Sequence, residues 1–382
     1  MEFSDVLGLP HLKNHLITSA DSGRIPHAQL FVGASGSGTL PMAIAYARYL
    51  ICNLNKDTKA QACAAKFNKL AHPDLHFAFP VNTSTKVKKD AVSAHYLNDW
   101  NSFLANNPYG NLYQWYSHIG IENKQGIIGV NEATDIVKSL SLKSFEGGYK
   151  VMLIWGADKM NDSAANKLLK LIEEPPQKTV FILITEQEDQ ILTTIKSRCQ
   201  VLHFPPLSEE IITQALIEKQ QCEPTEAKKI AHVANGDYNK ALKNLNQDYT
   251  DDVFENWFII WVRTAFSAKK NKKAIQSLLQ WSDEITSSNR ETQKNFLLYC
   301  LDFFRQALLL NYKTDNLVYL STKTKGFELE KFAPFVHNGN ILEIQKEIEK
   351  AIYHIERNGY AKTIFTDLSI RLTRLLHRKE IV

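Results

Sequence analysis

Residues 28–40 read AQLFVGASGSGTL, a short apolar run that leads directly into a glycine-rich turn. The first five residues are typical of a strand that is buried in a parallel sheet. Glycines at positions 33, 36 and 38 follow, and glycines spaced this way between a strand and a helix let backbone amides bind phosphate. The stretch predicts an α/β domain of the phosphate-loop type, with Gly33, Gly36, Gly38 and Thr39 as candidate nucleotide contacts.

The same loop lacks the side chains that nucleotide hydrolysis needs. The pattern requires lysine and then serine or threonine after the last glycine, whereas this chain has Thr39 and Leu40. Losing the charge-assisted contact of the lysine costs about 1.5–3 kcal/mol, and leucine cannot ligate Mg²⁺. After the apolar run 151–154, Trp155 and Gly156 stand where an ATPase places acidic residues. We therefore predict a phosphate loop without catalytic competence.

The rest of the first half supports an α/β domain. Apolar runs at 150–154 and 179–184 predict further buried parallel strands, and the helical pattern at 162–174 lies between them. Strands that alternate with helices indicate a doubly wound α/β domain, which we assign to residues 1–205. Residues 79–125 look like an insertion in it, with one predicted helix at 91–103.

The second half reads as helices only. Short helical patterns fill residues 206–246, and longer ones fill 247–382. Isoleucines spaced 3-4-4-3 between residues 341 and 355 form an apolar stripe on one helix face. Trp257, Phe258 and Trp261 are expected in the core of this all-helical region.

Composition indicates the partners that the protein can bind and the compartment in which it works. The 382 residues carry 45 basic and 41 acidic side chains, and the resulting net charge of +4 is too small to bind a polyanion through bulk charge. The five cysteines are scattered, which argues against a disulfide framework and favours a reducing compartment. The first residues show no signal-peptide pattern, and no apolar run approaches the roughly 20 residues that span a bilayer. We expect a cytoplasmic protein without a membrane partner.

Taken together, four blocks of the sequence resemble the AAA+ clamp-loader subunits of bacterial DNA polymerase III. The blocks are GRIPHA (23–28), AHPDLH (71–76), AANKLLKLIEEPP (164–176) and TIKSRC (194–199). The resemblance covers 5–205 well and weakens after it. It implies an α/β AAA+ domain, a small helical lid at 206–246 and an all-α collar domain at 247–382.

Within this family the chain resembles the delta-prime type. Motor subunits keep the phosphate-loop lysine, and delta subunits lack the Ser-Arg-Cys motif. This chain lacks the lysine and keeps the motif. The resemblance implies that Arg198 acts as an arginine finger in trans, at the ATP site of a neighbouring subunit, with Ser197 and Cys199 holding the turn.

The resemblance also implies partners and a function. The partners would be the gamma/tau-type motor subunits and delta, with the sliding clamp and primed DNA in the complex. The chain itself would be a non-hydrolysing scaffold within a polymerase holoenzyme. The sequence does not decide whether ATP or ADP occupies the loop unhydrolysed. Thr185 falls where AAA+ proteins carry a polar sensor of the γ-phosphate, and in this chain we expect it to have only a strand-capping role. Active relatives carry a basic sensor close to the position of Lys240, but we assign no such role to this lysine.

Two features stay outside this assignment. Many relatives carry four cysteines in a zinc module, whereas this chain keeps Cys52 and Cys63 only. His72 and His76 are conceivable further ligands, but we expect no metal and two buried free thiols. The lysines at 269, 270, 272 and 273 form either a solvated face or a contact with DNA phosphates or another subunit.

Two rival functions remain open from the sequence. One is a AAA+ ATPase whose unorthodox site still turns over, and the degenerate loop argues against it. The other is a stand-alone DNA-binding protein that uses its lysine clusters, against which the small net charge argues. The first predicts hydrolysis by the isolated chain, and the second predicts strongly salt-dependent DNA binding.

Overall fold

The structure is a computed structural model of the chain. It describes residues 1–54, 60–122, 124–145, 147–245, 250–269, 271–314, 317–318, 320, 322 and 324–379. The chain divides into two compact units, Met1–Leu245 and Asn246–Val382. The predicted boundary at residue 246 lies outside the described residues, and the three-domain division stays a prediction.

A five-stranded parallel sheet forms the centre of the first unit, in the order β2-β3-β4-β1-β5. The strands are β1 (Ala28–Gly33), β2 (Leu75–Ala78), β3 (Lys150–Trp155), β4 (Thr179–Thr185) and β5 (Gln200–Phe204). Every residue of β3 and β4 is buried, as their continuous apolar sequences predict. The predicted α/β class, a parallel sheet with a glycine loop after its first strand, is confirmed.

Helices cover the sheet and continue beyond it. They are α1 (Pro10–Asp21), α2 (Thr39–Arg48), α3 (Ala60–Asn68), α4 (Leu97–Asn106), α5 (Leu112–His118), α6 (Val130–Ser141), α7 (Asp162–Glu173), α8 (Thr193–Lys196), α9 (Glu209–Gln220), α10 (Pro224–Ala234) and α11 (Tyr238–Leu245). Helix α7 shows why such segments form where they do. The Asn161 side chain caps its first turn, its apolar face is buried, and Pro175 follows its end.

The insertion 79–125 packs onto the sheet through an aromatic core. Trp100, Phe103 and Trp115 are all at most 1% exposed, and the Trp115 indole donates a hydrogen bond of 2.9 Å to the Pro80 carbonyl. The predicted helix 91–103 is wrong at its start, because a 3-10 turn (Ser93–Tyr96) precedes α4. The reason is that the Ser93 hydroxyl accepts from the Phe79 amide and donates to the Phe79 carbonyl, which ties this segment to the chain after β2.

Glu132 of α6 also binds the insertion, through a hydrogen bond to Ser93. Its carboxylate accepts a hydrogen bond of 2.6 Å from the Ser93 amide, and the residue is only 4% exposed. Burial raises the pKa of the Glu132 carboxyl from its ordinary value of 4.5 to about 7, against the opposing effect of the hydrogen bonds from Ser93.

The described part of the second unit contains helices and their connections. The helices are α12 (Thr250–Ala268), α13 (Lys272–Thr286), α14 (Arg290–Asn311), α15 (Leu329–Phe332), α16 (Ile341–Glu356) and α17 (Ala361–Leu375). Trp257, Phe258 and Trp261 are buried as predicted. Trp261 stacks on Trp281 with ring centroids 5.1 Å apart, and its indole donates to the Ser369 hydroxyl. Among the described helices, none is long and apolar enough to cross a membrane.

The buried carboxyl predicts a pH effect on stability. Between pH 4.5 and about 7 the folded chain holds a proton on Glu132 that the unfolded chain has lost, so the free energy of unfolding falls as the pH rises through this window. The free energy of unfolding should fall by about 3 kcal/mol across this window in the wild type, and Glu132→Gln should abolish that fall. Urea unfolding at pH 5 and pH 8 measures this, with exposed Glu330→Gln as the control. Equal pH dependence in the wild type and Glu132→Gln would show that Glu132 ionises normally.

Candidate functional site

The predicted phosphate-loop residues lie together between β1 and α2. Gly36 and Gly38 have φ angles of +69° and +93°, a region that favours glycine, and α2 begins directly after Gly38. No side chain caps α2, so the loop and the helix start present backbone amides. Gly33, Gly36, Gly38 and Thr39 therefore lie together where β1 passes into α2, and the next side chain, Leu40, is buried in the hydrophobic core.

The end of β3 is closed by the insertion. Trp155 is 6% exposed, and its ring centroid lies 5.2 Å from that of Trp100. Gly156 has a φ of +67°, and a Cβ added there would lie 2.8 Å from Cγ of Pro80 and 3.3 Å from Cδ2 of Leu112. The positions at which an ATPase holds its acidic side chains are thus occupied by packed apolar groups.

The start of α11 covers the loop from the other side, which the sequence did not predict. A Cβ added at Gly36 would lie 1.8 Å from Oδ1 of Asp237, and the Tyr238 amide lies 3.3 Å from the Gly36 carbonyl oxygen. Asp237 also caps α11 by accepting from the Lys240 amide at 3.0 Å. The backbone of Lys240 is therefore linked to the glycine loop through Asp237. Burial raises the pKa of the Asp237 carboxyl.

Thr185 has the strand-capping role that the sequence predicts. Its hydroxyl donates to Oδ1 of Asp158 at 2.8 Å and accepts from the Gln187 amide at 2.9 Å. The other oxygen of Asp158 lies 2.8 Å from the Lys159 ammonium. Asp158 therefore bonds to both Thr185 and Lys159 at this end of the sheet.

Arg198 follows α8 and lies on a partly exposed turn. Its Nη1 donates to the Thr194 carbonyl at 2.8 Å, and its Nη2 is 3.0 Å from Oε2 of Glu173, at the end of α7. The side chain is 32% exposed. The Ser197 hydroxyl donates to the same Thr194 carbonyl at 3.2 Å. Burial raises the pKa of the Cys199 thiol to about 11, so it stays protonated at neutral pH.

The sheet separates Arg198 from the glycine loop of its own chain. Strands β1 and β5 run parallel, with Gln29 opposite Gln200 and Gly33 opposite Phe204. The loop follows the carboxyl end of β1, whereas Arg198 precedes the amino end of β5. A strand of this length rises roughly 15 Å. The structure therefore does not bring the two groups of predicted site residues together.

Cys52 and Cys63 correct an expectation. They form a disulfide, with Cα atoms 5.7 Å apart, so the prediction of two free thiols is wrong. Helix α2 continues as a π-helical turn that brings Cys52 to α3, a contact that sequence spacing alone did not reveal. His72 lies with them, its ring nitrogen within 4.8 Å of both sulfurs. Sulfurs bonded to one another are not thiolates, so these residues do not fit a zinc ion, which takes four ligands in a structural site.

The lysine cluster is only partly described. Lys269 follows α12, and Lys272 and Lys273 begin α13. Lys270 lies outside the described residues, as does the side chain of Lys272. A role for this cluster stays a prediction.

Comparisons with known proteins agree with the sequence motifs. The family model described as "DNA polymerase III, delta subunit" matches residues 8–208. The DNA polymerase III subunit delta' of Bacillus subtilis (strain 168) is 31% identical over 228 residues, 59% of this chain and 56% of that protein. The subunit tau of the same organism is 26% identical over 328 residues, 82% of this chain and 50% of that protein. This chain thus spans about half the length of these relatives.

A solved structure from another bacterium is also similar. It is a DNA polymerase III gamma subunit-related protein from Thermotoga maritima, with 12% identity and a TM-score of 0.41. The match covers 95% of this chain and 99% of that one.

The disulfide predicts a thiol count. Unreduced chain that is denatured under nitrogen should react at three cysteines, namely Cys199, Cys222 and Cys300, and reduced chain at all five. Titration with a thiol reagent, followed by peptide mapping, measures this. The matched control is Cys52→Ser, which should expose Cys63 and give four thiols without reduction. Five reactive thiols in the unreduced wild type would contradict the disulfide.

Proposed function

Because this chain belongs to the delta-prime family of DNA polymerase III subunits, we propose that it is the non-hydrolysing subunit of a cytoplasmic clamp loader. In this proposal Arg198 enters the ATP site of an adjacent motor subunit and acts there as an arginine finger. The complex then loads the sliding clamp on primed DNA. The partners are a gamma/tau-type motor subunit and delta, and the second unit joins their collar.

One observation carries the proposal: Arg198 and the glycine loop lie at opposite ends of parallel strands. An arginine placed roughly 15 Å from its own loop cannot contact a phosphate held there. A phosphate that meets Arg198 must belong to another molecule. This supports action in trans.

The environment of Arg198 suits such a role. Its partner Glu173 is 53% exposed, and ion pairs this exposed to solvent are weak. A triphosphate offers several charged oxygens, which bind a guanidinium more strongly than a single carboxylate does. The Nε of Arg198 is buried and has no hydrogen-bond partner among the described residues, which leaves the guanidinium incompletely satisfied. Exchange of Glu173 for phosphate is therefore favourable.

The degenerate loop supports the non-hydrolysing part of the proposal. Thr39 and Leu40 replace the lysine and the hydroxyl, and Trp155 and Gly156 replace the acids. No charged group then remains at these four positions to bind Mg²⁺ or to stabilise a transferring phosphoryl group. The chain contributes to hydrolysis only through its neighbour.

The decisive experiment uses the reconstituted loader with clamp and primed DNA. Arg198→Ala should slow hydrolysis at the site it serves by about 10³-fold or more, because arginine fingers contribute that much in related phosphoryl transfer. The steady-state ATPase should therefore lose a large part of its rate. Arg198→Lys should restore little of it, since lysine keeps the charge without the planar fork. Lys196→Ala, which removes a cation from the same turn, is the matched control.

Two outcomes would contradict the proposal. Unchanged turnover in a complex that assembles fully, as judged by native mass spectrometry, would make the Ser-Arg-Cys turn structural. Hydrolysis by the isolated chain that is lost in Gly38→Val would favour an active ATPase instead.

A further inference from the structure

We propose that Glu173 is a positioning residue for Arg198, which it holds against its own chain until a phosphate of the neighbouring subunit competes for the guanidinium. We call this ion pair, Glu173 with Arg198, the latch. The inference rests on the proposed function, because a latch can affect hydrolysis only if Arg198 acts in trans.

The latch occupies the nitrogens with which an arginine binds phosphate. Nη2 of Arg198 lies 3.0 Å from Oε2 of Glu173, and Nη1 donates to the Thr194 carbonyl at 2.8 Å. A guanidinium binds phosphate most strongly through two of its nitrogens at once. Both terminal nitrogens are engaged within the chain, so Arg198 cannot bind a phosphate through the pair of them until these contacts break.

The backbones on both sides of the latch are fixed. Glu173 is the last residue of α7, and the Arg198 amide donates to the Ile195 carbonyl at 3.0 Å. Ile172 of α7 and Ile195 of α8 are at most 1% exposed and belong to the same hydrophobic cluster. The latch therefore opens by rotation of its two side chains and does not require α7 or α8 to move.

Glu173 occupies an unfavourable position for an acid in α7 itself. The C-terminal end of a helix carries a partial negative charge, which repels a carboxylate and attracts a cation. Glu173 and Glu174 both stand at this end, and the guanidinium of Arg198 lies beside the first of them. Local preference thus does not explain an acid at position 173, whereas the contact with Arg198 does.

The latch is weak enough for a phosphate to open it. The side chains of Arg198 and Glu173 are 32% and 53% exposed. An ion pair this exposed changes a population by at most about fivefold, and a triphosphate offers more anionic oxygens than one carboxylate does. A competing ligand shifts such an equilibrium by its differential affinity for the two states. Arg198 is held back while no triphosphate is within reach and is released when one arrives.

Single-turnover ATP hydrolysis by the reconstituted loader, without clamp and DNA, tests the latch. The Arg198-dependent part of the rate is obtained by subtracting the rate of the Arg198→Ala loader. Glu173→Gln removes the charge at nearly constant size and should raise this part about two- to fivefold. The gain should shrink as salt is raised, because screening weakens the wild-type pair. It should vanish when Arg198→Ala is added, because no guanidinium is then left to release.

The matched control is Glu174→Gln, which makes the same charge change at the adjacent residue. Among the described residues, Arg198 forms its ion pair with Glu173 and not with Glu174. The hydrolysis rate of the Glu174→Gln loader should therefore equal that of the wild type.

Nuclear magnetic resonance of the isolated full chain tests the contact without the loader. With ¹⁵N-labelled arginine, the Nε–H signal of Arg198 is assigned from its absence in Arg198→Lys. Its order parameter should fall in Glu173→Gln, because the guanidinium loses one of its contacts, and should stay unchanged in Glu174→Gln.

Four results would overturn the inference. Equal rates in the wild type, Glu173→Gln and Glu174→Gln, in a loader that Arg198→Ala disables, would overturn the latch and leave the proposed function intact. A lower rate in Glu173→Gln would show that Glu173 orients Arg198 for reaction and does not hold it back. An unchanged order parameter in Glu173→Gln would overturn the contact itself. Unchanged hydrolysis in Arg198→Ala would overturn the proposed function, and the latch with it.

Discussion

The parallel pairing of β1 with β5 is the constraint on which the site depends. It fixes the glycine loop at one end of the sheet and Arg198 at the other, with Gly33 opposite Phe204 and Gln29 opposite Gln200. Both strands are anchored in a sheet whose central members are completely buried, so this separation cannot relax. The chain accordingly has the glycine loop at one end of the sheet, where α11 packs against it, and a partly exposed cation, Arg198, at the other end.

Much of the fold could be predicted because its signals are local. The runs that became β1, β3 and β4 are continuous apolar segments, which occur in strands buried on both faces. Strands β2 and β5 were not predicted, since β2 has four residues and β5 lies at a sheet edge with most of its side chains partly or fully exposed. The helix assigned to 91–103 failed at its start because Ser93 bonds to Phe79, fourteen residues away, and periodicity does not detect such a bond.

The sequence predicted which side chains the candidate site lacks, but it did not predict which residues pack against the loop. Thr39 and Leu40 follow the last glycine directly, so the sequence alone predicts that the loop lacks the lysine and the hydroxyl. Tyr109 and Asp237 reach the loop from about 70 and 200 residues away, and only the folded chain brings them there. The disulfide between Cys52 and Cys63 was not predicted for a related reason. Its geometry depends on a π-helical turn, which composition does not indicate.

The packing around Gly156 also limits which side chains the end of β3 can carry. Because Pro80 and Leu112 occupy the space above this glycine and its φ is +67°, an acidic side chain could not be introduced there by substitution alone. Trp155 is likewise held among other rings, so replacing it with aspartate would open a cavity before it restored any function. Either substitution alone would therefore lower stability. A pair of acids could be accommodated at the end of β3 only if the rings and the proline around it changed at the same time.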